Sequence, residues 1–135
     1  MTENEKAENK GNVLLVDDDK FLLDMYSMKF AQAGFNVNAV LSVRKALDAL
    51  HGGFRPEAVL FDLVMPQENG FSLLEKIRSE KLAEGVCLIA LSNQSDESEK
   101  KRAIELGATR YIVKASMIPS EVVEAVGVDI KKAKG

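Results

Sequence analysis

Residues 13–19 read Val-Leu-Leu-Val-Asp-Asp-Asp, a short apolar run that stops abruptly at charged side chains. Three later apolar runs stop in the same way: residues 58–61 before Asp62, residues 86–91 before Ser92, and residues 111–113 before Lys114. Short apolar runs of this kind are typical of buried parallel strands. Because the carboxyl ends of parallel strands meet at one edge of a sheet, we expect the polar side chains to share a crevice.

Stretches with helical spacing of apolar residues separate these runs, and residues 36–40 supply one further strand. The alternation predicts repeated βα units, and therefore an α/β fold with a parallel sheet. Strands this apolar are buried on both faces, so we expect helices on both sides of a five-stranded, doubly wound sheet. In the strand order 2-1-3-4-5, strands 1 and 3 are neighbours at the topological switch point. That order brings Asp17, Asp18 and Asp62 into one pocket.

The expected limits of the domain follow from local composition. Residues 1–11 carry no aromatic or β-branched apolar side chain, so we expect a disordered N-terminal tail. The folded domain is expected at residues 12–128, and residues 129–135 are expected to form a short C-terminal tail. Gly127 is expected to end the last helix early.

Helical spacing predicts that Phe21, Met25, Met28 and Ala31 or Gln32 of the first helix face the core, and Phe30 is also expected to be a core residue. Tyr26 is expected to be half-exposed on the surface of this helix. Asp19 is expected to cap the helix rather than to bind a metal. Asp96 with Glu99 three residues later resembles a capping box for the fourth helix.

Composition excludes several classes of function. The 135 residues fit one domain, and 18 Lys plus Arg against 21 Asp plus Glu give a net charge of -3. Basic residues form only short clusters, such as residues 131–134, so we expect no direct nucleic-acid binding. No apolar run is long enough for a membrane span and no signal segment precedes the domain, so we expect a cytoplasmic protein. Cys87 is alone inside an apolar run and is expected to be a buried thiol.

The predicted pocket has a definite chemistry. Three carboxylates a few ångström apart repel one another by several kcal/mol at intermediate dielectric unless a cation joins them, so Asp17, Asp18 and Asp62 predict a metal site. All-oxygen ligands suit a hard cation such as Mg²⁺, which leaves room for a phosphate oxygen. A carboxylate can attack phosphorus, while Lys114 supplies positive charge and the Ser92 hydroxyl can donate to a phosphate oxygen. A phosphoryl-transfer site is therefore plausible on these residues alone.

These residues resemble a known family, the response regulator receiver domains of bacterial two-component phosphorelays, which have a flavodoxin-like fold. The resemblance covers about residues 11–126 and is specific because several segments match in order and spacing. They are Val-Leu-Leu-Val-Asp-Asp-Asp at 13–19, Leu-Phe-Asp-Leu-Val-Met-Pro with a following Asn-Gly at 60–70, Leu-Ile-Ala-Leu-Ser at 88–92, Gly-Ala at 107–108 and Tyr-Ile-Val-Lys at 111–114. The closest type implied is a stand-alone, chemotaxis-regulator-like domain.

The resemblance implies a signalling phosphoacceptor rather than an enzyme. Asp62 is the expected phosphoacceptor, and Asp17, Asp18, Asp62 and the backbone carbonyl of Val64 are the expected Mg²⁺ ligands. A histidine kinase or phosphotransfer protein is the expected donor, and a downstream protein is the expected target. The protein is expected to be a monomer or a weak dimer that depends on phosphorylation, without membrane insertion.

The resemblance also assigns a switch, and two departures from the family affect it. Ser92 corresponds to the switch hydroxyl, Lys114 to the phosphate-contacting lysine, and Tyr111 to the aromatic residue whose rotamer follows the switch. Asn93 stands where the family usually has a small residue, so its amide is expected to narrow access to the phosphate or to bond to it. Ala115 stands where proline is usual, which leaves the conformation of the Lys114–Ala115 peptide open.

Three alternatives compete with a phosphoacceptor. A receiver-like module that works without phosphorylation keeps the fold but needs none of the pocket residues. An aspartate-based phosphatase normally has a second acid two positions after its nucleophile, where this chain has Val64. A flavodoxin-like cofactor binder needs hydroxyls and glycine after the first strand, where residues 17–19 would repel a phosphate.

Overall fold

Five parallel strands form the centre of the molecule in a computed structural model, which describes residues 10–65 and 67–135. They are β1 (Asn12–Val16), β2 (Asn36–Val40), β3 (Ala58–Asp62), β4 (Cys87–Ser92) and β5 (Arg110–Val113). The helices are α1 (Lys20–Gln32), α2 (Val43–His51), α3 (Gly70–Ser79), α4 (Glu97–Glu105) and α5 (Pro119–Lys134), and a 3₁₀ turn spans Lys114–Ser116. The strand order β2-β1-β3-β4-β5 confirms the predicted doubly wound sheet.

The register of the strands sets their carboxyl ends level. Val16 of β1 pairs with Phe61 of β3, so that Asp17 and Asp62 follow at the same height. Likewise Ser92 pairs with Val113, the residue before Lys114. Parallel pairing therefore delivers all the polar chain ends to one edge of the sheet.

Alternate residues of the strands fill two cores, one on each face of the sheet. Leu14 and Val16 pack with helices α2, α3 and α4, whereas Val13 and Leu15 pack with α1 and α5. Helices on both faces confirm the prediction from the uniformly apolar strands. Cys87 is buried in the second core, as predicted, and burial raises the pKa of its thiol.

The buried face of α1 differs from the predicted one. Phe21 is 75% exposed and Met28 is 54% exposed, so neither belongs to the core. Tyr26 is buried, at 3% exposure, instead of half-exposed. The residues of α1 that face the core are Leu23, Tyr26 and Phe30. Apolar residues lie on several sides of this helix, so that spacing alone fits more than one stripe and packing against α5 and the sheet selects between them.

The N-caps of two helices behave differently. The Asp19 carboxylate accepts from the Leu22 N–H at 3.1 Å, which confirms its prediction as a cap. The Asp96 carboxylate accepts from the Glu99 N–H at 3.1 Å, which is half of the predicted capping box. The Glu99 carboxylate bonds elsewhere, to Ser92 and Tyr111, and does not complete the box.

Helix α5 is longer than predicted. The helix continues through Gly127 to Lys134, so the prediction of a C-terminal tail at residues 129–135 is wrong. Val126 is buried before the glycine, and Asp129 after it accepts two hydrogen bonds from Arg110, at 2.7 and 2.8 Å. These contacts outweigh the cost of about 1 kcal/mol that glycine carries in a helix.

Residues 1–9 of the predicted disordered tail lie outside the residues that the structure describes. Lys10 and Gly11 are already part of the folded domain, because the Lys10 N–H donates to the Gly34 carbonyl and the Asn36 N–H donates to the Gly11 carbonyl. Within the described part of the chain, no helix has both the length and the apolar composition needed to cross a bilayer.

Candidate functional site

An acidic pocket lies at the carboxyl edge of the sheet, between β1 and β3. One carboxylate oxygen from each of Asp17, Asp18 and Asp62 lies within 4.8 Å of the other two. Asp17 and Asp62 are buried, whereas Asp18 is exposed at the mouth. The structure thus brings together the three acids that the sequence analysis selected.

Lys114 reaches across from the end of β5 into the same pocket. Its Nζ lies 3.0 Å from Asp17 Oδ2 and 3.2 Å from Asp62 Oδ2, so one ammonium group bridges both buried carboxylates. Burial tends to lower the pKa of this ammonium, but its hydrogen bond to Asp17 and the charges of both acids raise the pKa above its usual value. The pocket therefore contains three acidic side chains and one basic side chain, Lys114.

Burial acts most strongly on the Asp62 carboxyl. It raises the pKa of this group above its usual value, although Lys114 and a backbone N–H act in the opposite direction. A divalent cation beside Asp17, Asp18 and Asp62 would favour the ionised form of all three carboxyls. The donor set is entirely carboxylate oxygen, which fits a hard cation such as Mg²⁺.

Backbone N–H groups hold the two buried carboxylates in place. The Asp19 N–H donates to Asp17 Oδ1 at 2.9 Å, and the Val64 N–H donates to Asp62 Oδ1 at 3.2 Å. In each acid the other oxygen, Oδ2, faces Lys114. The Val64 side chain is exposed beside the acidic pocket, as is usual for a loop that follows a strand end.

Gly70, the first residue of α3, packs against the backbone of β3 beside Asp62. A Cβ atom at this position would lie 2.7 Å from the carbonyl oxygen of Asp62 and 3.0 Å from Cα of Leu63. Both atoms belong to the backbone and have little freedom to move. Helix α3 can approach β3 this closely only because residue 70 has no side chain.

We predict that Gly70→Ala lowers the free energy of unfolding by about 2 kcal/mol, because it overpacks a rigid contact. Gly127→Ala in α5 is the matched control, since a Cβ there meets nothing within 4 Å. The control is expected to gain about 1 kcal/mol from helix propensity. Urea unfolding of both variants measures the difference, and equal stability of the two would contradict the close approach.

A second group of polar side chains lies beside the acidic pocket, where β4 and β5 meet α4. The Ser92 hydroxyl lies 2.7 Å from the Gln94 carbonyl and 2.6 Å from Glu99 Oε1. The Tyr111 hydroxyl lies 3.2 Å from the same carbonyl and 2.9 Å from the same Glu99 oxygen. We call these four residues the hydroxyl cluster. In the described part of the chain, the Ser92 hydroxyl thus bonds to Gln94 and Glu99 and not to Asp17, Asp18 or Asp62.

Sequence reasoning missed Glu99 as a member of this site. Its spacing from Asp96 already has an explanation in a helix cap, and no local pattern indicates a contact with Tyr111. Asn93 is exposed at the end of β4. The Lys114–Ala115 peptide, which the sequence left open, is trans, and the chain turns there into the 3₁₀ turn.

Comparison with known proteins identifies the family. The model of the response regulator receiver domain matches residues 13–126. The chain therefore belongs to the response regulator receiver domains of two-component systems. Members of this family are signalling phosphoacceptor domains, and the acidic pocket described above fits a phosphorylation site with Mg²⁺.

Curated relatives are longer than this chain. Transcriptional regulatory protein GltR of Pseudomonas aeruginosa is 32% identical over 130 residues, which cover 95% of this chain and 52% of GltR. The DNA-binding response regulator MtrA of Mycobacterium tuberculosis is 30% identical over 120 residues, which cover 89% of this chain and 50% of MtrA. The chain thus spans about half the length of these relatives.

Solved structures share the fold. A CheY-like response regulator receiver domain protein from Methanospirillum hungatei superposes with a TM-score of 0.82 at 24% identity, over 91% of this chain and 95% of that one. Chemotaxis response regulator CheY4 of Vibrio cholerae gives a TM-score of 0.77 at 25% identity, over 88% and 97% of the two chains. The five-stranded topology is therefore common to these proteins.

Proposed function

We propose that this domain accepts a phosphoryl group on Asp62, with Mg²⁺ as cofactor, and signals through contacts with other proteins. The observation that carries the proposal is the position of Lys114, which bridges Asp17 and Asp62 beside a third, exposed acid. A structural ion pair needs one acid for one base. A cluster of three acids, two of which share one lysine, instead suits a site that receives a cation and a phosphoryl group.

The proposed donor is a histidine kinase or a phosphotransfer protein. A carboxylate oxygen of Asp62 attacks phosphorus, a P–O bond forms, and the P–N bond to the donor histidine breaks with its electron pair left on the ring nitrogen. Asp17, Asp18, Asp62 and the Val64 carbonyl would hold Mg²⁺, which supplies charge neutralisation for the phosphoryl oxygens. Lys114 already lies 3.2 Å from Asp62 and would then pair with a phosphoryl oxygen.

Proposed changes after phosphorylation involve Ser92 and Tyr111. A phosphoryl group on Asp62 adds charge and strong acceptors, so the Ser92 hydroxyl gains a new partner near the end of β4. Tyr111 on the adjacent strand shares its present acceptors with Ser92 and would respond to that move. The surface formed by the β4–α4 loop, α4 and β5 is the proposed contact for a downstream protein.

The proposed partners are proteins rather than DNA. GltR and MtrA are named as transcriptional or DNA-binding regulators, but this chain matches only about half of each. Its net charge of -3 gives no electrostatic basis for direct DNA binding by this domain. A monomer, or a weak dimer that forms after phosphorylation, is the proposed oligomeric state.

Acetyl phosphate with Mg²⁺ tests the proposal by intact-protein mass spectrometry. We expect the protein to gain the mass of one phosphate group, and we expect EDTA to prevent the gain. A gain that is equal with and without EDTA would contradict the metal requirement. No gain at saturating donor and Mg²⁺ would favour the alternative of a phosphorylation-independent module.

A further inference from the structure

Glu99 occupies an unusual position for a residue in the first turn of a helix. Its backbone N–H donates to the Asp96 carboxylate at 3.1 Å, while its own carboxylate contacts residues of two different strands. A single oxygen, Oε1, accepts from Ser92 of β4 at 2.6 Å and from Tyr111 of β5 at 2.9 Å. One carboxylate thus connects α4 to both strands at the edge of the acidic pocket.

We infer that Glu99 is a positioning residue that competes with the phosphoryl group for the Ser92 hydroxyl, and so opposes the phosphorylated state. The inference rests on the function proposed above. A hydroxyl group has one proton, and here two acceptors, the Gln94 carbonyl and Glu99, already lie within hydrogen-bond distance of it. Ser92 can therefore donate to a phosphoryl oxygen only by giving up both of these acceptors.

The strength of this competition depends on the charge of Glu99. The 2.6 Å separation between Ser92 Oγ and Glu99 Oε1 is in the range of charge-assisted O–H···O⁻ bonds, which are about twice as strong as neutral ones. The N-terminal end of α4 also favours a negative side chain at this position. A neutral amide of the same shape would remain in place but would hold the Ser92 proton less strongly.

The Tyr111 hydroxyl bonds to the same Glu99 oxygen as Ser92, so its environment depends on Glu99. Its hydroxyl shares Glu99 Oε1 with Ser92, so departure of Ser92 leaves the tyrosine as the remaining donor to that oxygen. A tyrosine phenol is a donor at neutral pH, and burial raises the pKa of the Tyr111 phenol further from that range. A change in Glu99 should therefore be visible at Tyr111 even without a phosphoryl group.

The test is the affinity of the Mg²⁺-loaded protein for beryllofluoride, a stable analogue of the phosphoryl group, measured by ¹⁹F NMR. We expect Glu99→Gln to bind it about fivefold more tightly than the wild type, because a neutral acceptor competes less well for Ser92. Glu97→Gln is the matched control, since it removes the same charge from an exposed position two residues earlier in the first turn of α4. This control is expected to leave the affinity unchanged.

Combination with Ser92→Ala shows whether Glu99 acts through the serine. In that background we expect Glu99→Gln to have no effect on beryllofluoride affinity. An equal effect with and without Ser92, or an equal effect of Glu97→Gln, would overturn the inference, because either would show a general effect of charge. No effect of Glu99→Gln in the wild-type background would overturn it as well.

The Cζ resonance of ¹³C-labelled tyrosine separates this inference from the proposed function. Glu99→Gln is expected to shift the Tyr111 signal in unmodified protein, whereas Glu97→Gln is expected to leave it unchanged, and Tyr111→Phe assigns the signal. Normal beryllofluoride binding without a shift of Tyr111 would overturn the role of Glu99 alone. Failure of every variant and of the wild type to bind beryllofluoride would overturn the proposed function, and the inference with it.

Discussion

Asp62→Asn is expected to abolish the phosphate gain from acetyl phosphate and Mg²⁺, by at least about a hundredfold, because the amide is no nucleophile toward phosphorus. The change keeps the shape of the side chain and lets the Val64 N–H keep an oxygen acceptor. It also removes one negative charge from a pocket in which Asp17 and Asp62 share one lysine and Asp18 lies close to both, so the fold is expected to remain intact. Intact-protein mass spectrometry gives the labelled fraction directly.

Asp19→Asn is the matched control for this experiment. It removes the same charge two residues from Asp17, and asparagine is as good an N-cap as aspartate, so α1 should remain stable. Full labelling of Asp19→Asn together with none of Asp62→Asn would support the assignment. Equal labelling of both variants would remove Asp62 from its proposed role.

Lys114→Met is expected to lower the free energy of unfolding by about 3 kcal/mol in metal-free buffer, because it leaves two buried carboxylates without a cation. The ammonium of Lys114 lies 3.0 Å from Asp17 and 3.2 Å from Asp62, and its side chain is only 14% exposed. Methionine preserves most of the apolar stem. Urea unfolding at pH 7 measures the loss, and saturating Mg²⁺ is expected to restore part of it.

Two further variants show that charge causes this loss. Adding Asp62→Asn to Lys114→Met is expected to recover more than half of the lost stability, because one of the two uncompensated charges disappears. Lys20→Met removes a lysine from an exposed pair with Asp24, whose side chains are 73% and 63% exposed, and should cost little. A loss for Lys114→Met no larger than that for Lys20→Met would contradict the bridge.

The effect of Lys114→Met should also depend on pH. Burial raises the pKa of Asp62, so the folded state binds its proton more tightly than the unfolded state does. Stability therefore falls as the pH rises through this pKa, and Lys114 limits the fall by favouring the ionised form. The loss caused by Lys114→Met should accordingly be smaller at a pH below this pKa, where the Asp62 carboxyl carries no charge.

The sheet and the acidic pocket were predictable from the sequence because both depend on strand ends. Apolar runs that stop at Asp17, Asp62 and Lys114 fix where the strands finish, and parallel pairing then brings these positions together. The predicted strand order is one of the two common orders of doubly wound sheets, and it places strands 1 and 3 side by side. Strand ends and parallel pairing depend little on side-chain conformation, and they could therefore be predicted.

Other features depended on tertiary contacts that no local pattern contains. The face of α1 that packs inward could not be read from spacing, because Phe21 and Met28 occupy helical positions as apolar as the buried ones. The length of α5 depends on contacts such as Arg110 with Asp129, across 19 residues of sequence. The side-chain rotamer of Glu99 is set by its hydrogen bonds with Ser92 and Tyr111.

The most direct measurement identifies which side chain carries the phosphoryl group. Reduction of the labelled protein with borohydride converts a phosphorylated aspartate to homoserine, and peptide mass spectrometry then locates the altered residue. We expect homoserine at position 62 and unchanged aspartate at positions 17, 18 and 19. Without Mg²⁺ we expect no homoserine. Homoserine at any position other than 62, or phosphate that resists borohydride and remains on a hydroxyl, would contradict the assignment of Asp62 as the phosphoacceptor.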